Sequence, residues 1–393
     1  MELEQKKKTI SVVTSSRAEF GLLSGVIDEL TRQGVELQLL VTGSHLSKNF
    51  GETITEIEAF GYHINECFDI LLESKEPRTD VVFSRAVSLF GGYFSNNRPD
   101  MVVLLGDRYE ILAVALTASF FNIPIAHISG GDVTTGALDD AFRHCITKLA
   151  LLHFTSTEVA RKRVIQLGES SERVFNVGAL GTENILKISV LSKEELTSGV
   201  GFDFNVPYLL ATYHPETMSE NSIVSDITAF LSALDAFGLP VLFTKANADT
   251  GGGLINEMVK DYCTKHSNSM LVDSLGMVKY INAMRYASAL VGNSSSAIVE
   301  SPSFKIPSVS IGDRQKGREM ASNIISCARD SVSILEALKK ALSSEFRDST
   351  RNMVNPYEGK DVAKNIVAYI LRFLNKPFDI AKEFYDVSFE EKL

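Results

Sequence analysis

The segment VGNSSSAIVESPSFKIPSVSIGDRQKGR, residues 291–318, decides the fold class because it joins two apolar strands through loops rich in polar residues. The first strand, residues 287–291, runs into GNSSS, and the second, residues 308–311, ends in GDR. A short helical pattern at residues 297–300 follows the serines, and we predict that Pro302 stops it. This order of strand, loop and helix is typical of a parallel sheet covered by helices.

The loop after the first of these strands predicts an anion site. The first backbone N–H groups of a helix have no internal partner, and the positive end of the helix favours phosphate. Asn293, Ser294 and Ser295 add polar groups, and Arg314 brings a guanidinium to the same edge. Glu300 does not bind phosphate but can accept hydrogen bonds from a ribose diol. The pattern predicts a site for a sugar-nucleotide diphosphate; the alternative is a serine that caps an ordinary helix.

The same alternation of apolar strands and helical patterns extends along most of the chain. In the first half, the predicted strands are 9–14, 36–42, 101–105, 125–128, 153–155 and 174–177, and the predicted helices are 22–33, 49–61, 81–96, 111–121 and 139–151. In the second half, the predicted strands are 208–212, 241–244, 270–272, 287–291 and, as the last strand, 308–311, and the predicted helices are 222–236, 252–265, 276–283, 332–343 and 362–374. This alternation predicts two doubly wound α/β domains that face each other across a cleft, with a ligand at the carboxyl ends of the strands.

The domain boundaries follow from a more polar segment, residues 188–204, which we interpret as a connection. We place an N-terminal domain with the sugar-binding and acid–base residues at 1–182 and a C-terminal domain with the sugar-nucleotide diphosphate site at 183–360. The remaining residues, 361–393, are expected to form a helix and a loosely packed tail that returns to the N-terminal domain.

The composition is that of a globular protein, with 45% apolar and 22% charged residues in a chain of 393. The net charge of −10 argues against nucleic acid as a partner, so an anionic substrate requires a local basic pocket. No apolar run reaches the length that spans a membrane, and we expect no membrane insertion.

Cofactor and metal signatures are missing from the sequence. No GxGxxG follows the first strand and no GxxxxGK[ST] is present, which disfavours nicotinamide cofactors and P-loop chemistry, so no cofactor is expected. Cysteines without CxxC or CxxH spacing predict buried, reduced thiols in a cytoplasmic protein, with neither a zinc site nor a disulfide framework. The four cysteines are Cys67, Cys145, Cys263 and Cys327.

Charged residues follow the predicted strands of the first domain, where α/β enzymes place their reactive groups. Arg17 follows the first strand and is placed for phosphate, although a surface arginine is the alternative. Asp107, Arg108 and Glu110 crowd the turn after residues 101–105; Asp107 is a candidate acid–base residue or a helix N-cap. Asp132 ends the SGGD loop after residues 125–128.

A helix that starts with two acids continues this pattern. Asp139 and Asp140 precede Arg143 and His144 by four residues each, so they predict either paired carboxylates for proton transfer or ordinary pairs along a helix. His127 lies inside a predicted strand, where it can be a core histidine or a site residue.

The second domain offers a histidine at the end of its first strand. Pro215 biases His214 toward an extended conformation, from which the imidazole can donate to phosphate or transfer a proton. The loops after the next two strands supply further candidate substrate contacts at Asn247, Asp249, Ser274 and Gly276.

With these residues assembled, the chain resembles the bacterial hydrolysing UDP-N-acetylglucosamine 2-epimerases of sialic acid synthesis. The resemblance covers nearly the whole length and rests on the ordered motifs SRAEFG, GDRYEI, HISGGD, DDAFRHCITK, VGALGTEN, YHPET, NADTG, GNSSSAIVE and IGDRQKGR. It implies two Rossmann-like domains with the active site in the cleft, as in B-type glycosyltransferases, and a homodimer or homotetramer.

The resemblance also implies the reaction. UDP leaves C1 while a proton is removed from C2, which gives a 2-acetamidoglucal. Water then adds at C1 and a proton returns to the other face of C2, releasing N-acetylmannosamine and UDP. Acid–base roles fall on Asp107 and Asp139. The UDP-binding positions are Arg17, His214, Ser294, Ser295, Glu300 and Arg314.

One position departs from the family pattern. Ser129 stands where some members carry Glu and other similar members carry His. The third acid–base role therefore stays open among Asp132, Asp140 and His214.

Other functions fit parts of the pattern. An enzyme acting on UDP-N,N'-diacetylbacillosamine in legionaminic acid synthesis would differ only in contacts to C4 and C6 of the sugar. A glycosyltransferase of the same architecture would need an acceptor groove, which no motif marks. A UDP-sugar sensor without turnover would need only the UDP-binding residues, whereas Asp107, Asp139 and His214 together exceed that need.

Overall fold

The computed structural model describes residues 7–48, 52–71, 78–135, 137–215, 223–246 and 251–388. The packing divides the chain into two compact units. Unit 1 comprises Met1–Asp132, Asp139–Leu180 and Gly359–Leu393, and unit 2 comprises Val133–Leu138 and Gly181–Glu358.

Unit 1 is built on a parallel sheet. Its strands are β1 (Thr9–Thr14), β2 (Glu36–Thr42), β3 (Glu66–Phe68), β4 (Met101–Leu105), β5 (Ile125–Ile128), β6 (Leu152–Thr155) and β7 (Val174–Asn176). Its helices begin with α1 (Arg17–Arg32), α2 (Ile54–Ala59), α3 (Thr79–Asn96), α4 (Tyr109–Phe120), α5 (Leu138–Leu149) and α6 (Glu158–Gln166). The seven strands take the order β3-β2-β1-β4-β5-β6-β7. Every residue of β4 is buried, because helices cover both faces of the sheet.

Unit 2 repeats this architecture on a smaller scale. Its helices are α7 (Leu180–Lys187), α8 (Lys193–Val200), α9 (Ile223–Phe237), α10 (Gly252–Lys265), α11 (Gly276–Tyr286), α12 (Ser296–Val299), α13 (Ser301–Phe304), α14 (Ser331–Leu342) and α15 (Ser344–Ser349). Its strands are β8 (Leu209–Thr212), β9 (Val241–Thr244), β10 (Met270–Val272), β11 (Ala289–Gly292), β12 (Ser308–Ile311) and β13 (Ile324–Cys327). The six parallel strands take the order β10-β9-β8-β11-β12-β13.

Each sheet reverses its strand order at one point. In unit 1 the reversal falls between β1 and β4, and in unit 2 between β8 and β11. The register of unit 2 sets Thr212 beside Gly292 at the carboxyl ends of β8 and β11. Ligands of open α/β sheets bind at such a switch point, so the loops after these four strands are where sites are expected.

The C-terminal part of the chain closes one face of unit 1. Helix α16 (Val362–Leu374) buries Ile366 and Ile370 in the core that also contains Leu23 and Ile27 of α1. Beyond it, Lys382 Nζ donates to Ala150 O at 2.8 Å. These contacts keep the described residues from Val362 to Lys382 within unit 1.

Polar contacts anchor part of the tail. Lys382 Nζ also donates to Glu169 Oε2 at 2.7 Å, and Tyr385 N donates to Gly168 O at 2.9 Å. The Nζ of Lys148 lies 5.0 Å from the centroid of the Phe384 ring. Glu169 and the carbonyl of Gly168 therefore anchor the tail at two points, while most of its side chains stay exposed, as expected for loose packing.

Most predicted elements are present within a few residues of their predicted bounds, and the exceptions are short elements. The predicted connection at 188–204 contains α8, which a capping box between Ser192 and Glu195 initiates. β12 is not the last strand, because β13 pairs with it. The elements β3, α6 and α7 were not predicted either. The predicted helices 49–61 and 222–236 begin in residues that lie outside the described ones.

The helix after the serines, α12, ends at Val299, before Pro302 as predicted. Pro302 does not end the helical conformation altogether. It occupies the first turn of α13, where its missing N–H costs nothing. The predicted single helical pattern is therefore a pair of short helices, α12 and α13.

The cysteines differ from expectation. Cys67 and Cys145 are exposed, Cys263 and Cys327 are partly exposed, and none of them forms a disulfide. Cys67 lies on the edge strand β3, and Cys145 lies on the side of α5 opposite to buried Arg143, Ile146 and Thr147, so their predicted burial is wrong. Across the described residues, no helix is long and apolar enough to cross a membrane.

Candidate active site

The predicted site residues fall into two groups that the structure places in separate units. Unit 1 carries Arg17, Asp107, Arg108, Glu110, Asp132, Asp139 and Arg143. Unit 2 carries His214, Ser274, Gly276, Asn293, Ser294, Ser295, Glu300 and Arg314. Asn247 and Asp249 lie outside the described residues.

In unit 1, the ends of β4 and β5 meet a buried arginine of α5. The guanidinium of Arg143 pairs with Asp107 through Nη2, and its Nη1 lies 3.7 Å from Asp132 Oδ2. Ser156 Oγ donates to Asp132 Oδ1 at 2.8 Å from the end of the neighbouring strand β6. We call Asp107, Asp132 and Arg143 the carboxylate cluster; its parts come together because β4, β5 and β6 are adjacent in the sheet.

Arg143 stays protonated within this cluster. Burial lowers the pKa of its guanidinium, but the charges of Asp107 and Asp132 outweigh burial and leave the pKa above its ordinary value. One buried cation thus faces two carboxylates. Carboxylates held together in this way are side chains that can transfer a proton at carbon.

The start of α5 adds the two acids that the sequence singled out. Asp139 and Asp140 lie in the first turn and are partly buried. Asp140 Oδ2 lies 3.7 Å from His144 Nε2. Burial lowers the pKa of His144; Asp140 opposes this effect, and Arg143 adds to it. His144 is therefore neutral at neutral pH.

His127 is a core histidine. It is fully buried, and its ring nitrogens lie 3.1 Å from Thr147 Oγ1 and 2.8 Å from Gly106 O. Burial lowers the pKa of the imidazole to about 3. Of the two alternatives for this residue, the structure favours the core role.

The loop between His127 and Asp132 is fixed by backbone contacts. Ser129 has a φ of 66°, which is unusual for a residue with a side chain, and its N–H donates to Phe154 O at 2.8 Å. Gly131 has a φ of 79°, and a Cβ there would lie 2.3 Å from Ala160 O. Arg163 Nη1 donates to Gly131 O at 3.0 Å. The loop therefore delivers Asp132 to the carboxylate cluster in one conformation.

The switch point of unit 1 holds a second ionic group. Arg108 Nη2 lies 3.0 Å from Glu110 Oε1, and among the described residues Glu110 Oε2 is buried without a hydrogen-bond partner. Arg17 is partly exposed and its Nη1 lies 3.5 Å from Glu56 Oε1. The arginines thus lie at the predicted edge of the sheet, each with a glutamate partner.

Glu19 is a further candidate site residue that the sequence analysis did not identify. Its carboxylate accepts hydrogen bonds from Ser15 N at 2.8 Å and from Ser15 Oγ at 3.0 and 2.9 Å. Burial raises its pKa to about 7, although the charge of Arg108 opposes the increase. Ser15 lies in the loop after β1, and Glu19 follows it by four residues in the first turn of α1. This position close to a strand end was the sequence pattern that could have identified Glu19.

In unit 2, reciprocal hydrogen bonds join the ends of β8 and β11. His214 N donates to Asn293 Oδ1 at 2.7 Å, and Asn293 Nδ2 donates to His214 O at 2.8 Å. Gln315 Nε2 donates to Asn293 O at 2.8 Å. Asn293 is fully buried, so its side chain positions His214.

His214 and Arg314 form the polar face of this switch point. Burial, with the charge of Arg314, lowers the pKa of His214 to about 3, so the imidazole is neutral. Arg314 Nη1 donates to Pro215 O at 3.4 Å, while its Nε is buried and has no partner among the described residues. A charged guanidinium with an unused donor beside a neutral imidazole suits a phosphate oxygen.

The serine loop leads from this face to Glu300. Ser295 occupies the N-cap position of α12 and makes no side-chain capping bond, whereas Ser294 Oγ accepts a hydrogen bond from Ser296 N at 3.4 Å. The alternative of a capping serine therefore applies to Ser294 and not to Ser295. Burial raises the pKa of Glu300 to about 7, against the hydrogen bond from Ser296 and the positive charge of Arg318. We call His214, Ser294, Ser295, Glu300 and Arg314 the anion cluster.

In the loop after β10, a hydrogen bond within the loop uses one of the predicted substrate-binding groups. Gly276 N donates to Ser274 Oγ at 3.0 Å. This N–H is therefore already hydrogen-bonded within the loop and would have to exchange its partner to bind the edge of a nucleotide base. Strand β9 separates β10 from β8 in the sheet.

Comparison with known proteins identifies relatives over nearly the full length. A sequence model of the family described as UDP-N-acetylglucosamine 2-epimerase matches residues 28–371. A Campylobacter jejuni protein named GDP/UDP-N,N'-diacetylbacillosamine 2-epimerase (hydrolyzing) is 40% identical over 385 residues, 97% of this chain and 100% of that protein. The polysialic acid biosynthesis protein P7 of Escherichia coli is 38% identical over 385 residues, 97% of this chain and 98% of that protein.

A solved structure shares the fold. The UDP-GlcNAc 2-epimerase from Neisseria meningitidis, in its crystal structure bound to UDP-GlcNAc, matches with a TM-score of 0.78 at 18% identity, covering 93% of this chain and 100% of that chain. This similarity shows a two-domain, GT-B-like α/β fold for the present chain.

Proposed function

Because the chain belongs to the UDP-N-acetylglucosamine 2-epimerase family, we propose that it is a hydrolysing 2-epimerase of a UDP-linked 2-acetamido sugar. The first candidate substrate is UDP-N-acetylglucosamine, which would give UDP and N-acetylmannosamine. The observation that carries the proposal is the carboxylate cluster, Asp107 and Asp132 on the buried Arg143. Proton transfer at carbon requires such groups, whereas the binding of a nucleotide does not.

We assign UDP binding to the anion cluster of unit 2. Arg314 and His214 would donate to the diphosphate, with Ser294 and Ser295 as further donors. Glu300 would accept from the ribose hydroxyls once it is ionised. In unit 1, Arg17, Arg108 and Glu110 are proposed substrate contacts, as are Ser274 and Gly276 in unit 2.

The proposed chemistry has two balanced steps. A carboxylate takes the proton from C2 as the C1–O bond breaks and its electron pair leaves with UDP, which gives the glycal. Water then adds its hydroxyl to C1 while a proton is delivered to the opposite face of C2. Asp107 and Asp139 are the proposed acid–base residues. Asp132 is proposed for the third role, because Arg143 holds it beside Asp107, whereas His214 is buried and neutral.

A second candidate substrate is UDP-N,N'-diacetylbacillosamine. The name of the Campylobacter jejuni relative favours it, and the name of the Escherichia coli relative favours a route to sialic acid. Incubating the protein separately with each UDP-sugar and identifying the free sugar decides between them. A product in a sialic acid or capsule route, a cytoplasmic location and a homodimer or homotetramer remain parts of the proposal.

An isotope experiment tests the reaction itself. In deuterium oxide the released sugar should carry one solvent deuterium at C2, and oxygen-18 from water should appear at C1 and not in UDP. The reason is that elimination breaks the C1–O bond and inversion replaces the C2 proton. Simple hydrolysis would give unlabelled C2 and the original configuration, and a sensor would release no sugar. A free sugar with protium at C2 after complete reaction would refute the elimination mechanism.

The carboxylate cluster can be tested at Asp107. Asp107→Asn should lower turnover roughly 100- to 10,000-fold, the range for a lost proton-transfer group, while UDP affinity stays unchanged. Steady-state kinetics and calorimetry with UDP measure the two effects. Asp80→Asn, at a carboxylate that is 65% exposed and paired with Arg78, is the matched control. Near-normal turnover of Asp107→Asn would assign Asp107 a structural role.

A further inference from the structure

The β5–α5 loop changes unit between two proposed acid–base residues. Val133–Leu138 packs with unit 2, whereas Asp132 before it and Asp139 after it belong to unit 1. Any group that fixes the position of this loop therefore also affects the positions of Asp132 and Asp139, because the chain connects them directly.

The loop that follows β12 holds these residues. Arg318 Nε donates to Val133 O at 2.9 Å, and its Nη2 donates to Thr134 Oγ1 at 3.3 Å. Thr135 Oγ1 donates to Lys316 O at 2.9 Å. The planar fork of an arginine can hold a carbonyl and a hydroxyl together, which fixes direction as well as distance.

The same loop carries Arg314, one of the groups proposed to bind UDP. It begins with Arg314, whose charge acts on His214, and it ends with Arg318, whose positive charge acts on Glu300. Arg318 thus lies close enough to Glu300 to lower its pKa while its guanidinium is bonded to residues 133 and 134.

We propose that Arg318 is a positioning residue that couples nucleotide binding at the anion cluster to the placement of Asp132 and Asp139. This inference rests on the proposed function. A diphosphate on Arg314 restrains one end of the loop, and Glu300, ionised when it binds the ribose diol, attracts the positive charge of Arg318 at the other end. Arg318 passes that restraint to Val133, one peptide bond from Asp132. A carboxylate displaced by about 1 Å can cost about 100-fold in rate, so the coupling affects turnover more than binding.

Hydrogen exchange of the full-length protein, with and without saturating UDP, tests the coupling. The reporter is the backbone of residues 133–141, where Ala137 N donates to Thr134 O at 3.2 Å. In the wild type, UDP should slow exchange of this segment. In Arg318→Ala that UDP-induced slowing should disappear, and kcat should fall on the order of 10- to 100-fold. The affinity for UDP should change by less than about 3-fold, because the diphosphate donors remain.

Arg318→Lys separates positioning from charge. Lysine keeps a cation opposite Glu300 but lacks the fork, so UDP affinity should stay as in the wild type while the UDP-induced slowing and kcat stay as low as in Arg318→Ala. Arg351→Ala, at an arginine that is 77% exposed, is the matched control and should behave as the wild type. Circular dichroism confirms that each variant is folded.

A second variant covers the case in which Arg318→Ala fails to fold. Thr134→Val removes only the hydroxyl that Nη2 contacts, and it should lose part of the UDP-induced slowing together with part of kcat. Equal UDP-induced slowing in the wild type and in the Arg318 or Thr134 variant would overturn the coupling. Failure of the wild type to bind UDP would instead overturn the proposed function, so the two failures are distinguishable.

Discussion

At the residue scale, burial acts differently on the two proposed phosphate donors. His214 becomes neutral because burial and the charge of Arg314 lower its pKa to about 3. A guanidinium stays charged in proteins, so attraction for an anion depends on Arg314, and His214 contributes a directed hydrogen bond.

This difference predicts the effect of removing the arginine. Arg314→Ala should weaken UDP binding by about 1.5–3 kcal/mol, or roughly 10- to 150-fold, because a charged hydrogen bond is lost. Isothermal titration calorimetry with UDP measures it. Arg351→Ala, whose side chain is largely exposed, should bind UDP as the wild type does. Unchanged affinity of the Arg314 variant would remove this residue from the site.

At the scale of elements, the close approach of β8 and β11 determines the geometry of the anion cluster. Thr212 and Gly292 are register partners, and the reciprocal bonds between Asn293 and His214 follow directly after them. Gly292 has a φ of 139°, and a Cβ there would lie 1.9 Å from Thr212 O. Only glycine permits this approach of two backbones.

A substitution at Gly292 tests whether the anion cluster depends on the close approach of β8 and β11. Gly292→Ala should destabilise the protein by more than about 1 kcal/mol and weaken UDP binding, because the strands must separate or the backbone must leave its positive φ. Gly253→Ala in α10 is the control; its Cβ meets nothing within 4 Å, so it should be neutral or stabilising by about 0.4–1 kcal/mol. Urea unfolding measures both. Equal stability of the two variants would contradict the constraint.

At the scale of the whole molecule, buried ionisable groups shape the pH dependence of stability. The pKa of His127 is about 3 in the folded protein against an ordinary value of 6.5, so the unfolded chain binds more protons between pH 3 and 6.5. Its contribution to stability is therefore present above pH 6.5 and is lost as the pH falls through this window. Glu19 and Glu300, both raised from 4.5 to about 7, act oppositely, and their contribution is lost as the pH rises from 4.5 to 7.

The histidine contribution can be isolated with His127→Gln, which removes the titration and keeps a polar side chain. The free energy of unfolding of the wild type should fall relative to the variant by up to about 1.4 kcal/mol per pH unit between pH 6 and 4, the value for one proton. Urea unfolding at a series of pH values measures the difference. A gap between the two proteins that does not change with pH would show that His127 is protonated in the folded state or is not buried.

The sequence by itself determined the class of fold and most of its elements. Strands such as β4 and β5 were predicted with their observed bounds because a continuous apolar run between turn residues is a local signal. β3 and β13 were missed because they are three and four residues long and only partly buried, so their existence depends on the neighbouring strand. The motifs also identified the family, since their order along the chain needs no folding to be read.

Only the tertiary structure decided which residues act together. The partners of Arg143 depend on β4, β5 and β6 being neighbours, which no local pattern encodes. The contact of Arg318 with residues 133 and 134 joins positions far apart in the chain. Protonation states could not be predicted from the sequence either. The pKa values of Glu19 and Glu300 depend on burial and on charges that only the fold brings near. Periodicity is a property of neighbouring residues, whereas charge pairing and desolvation are properties of the packed whole.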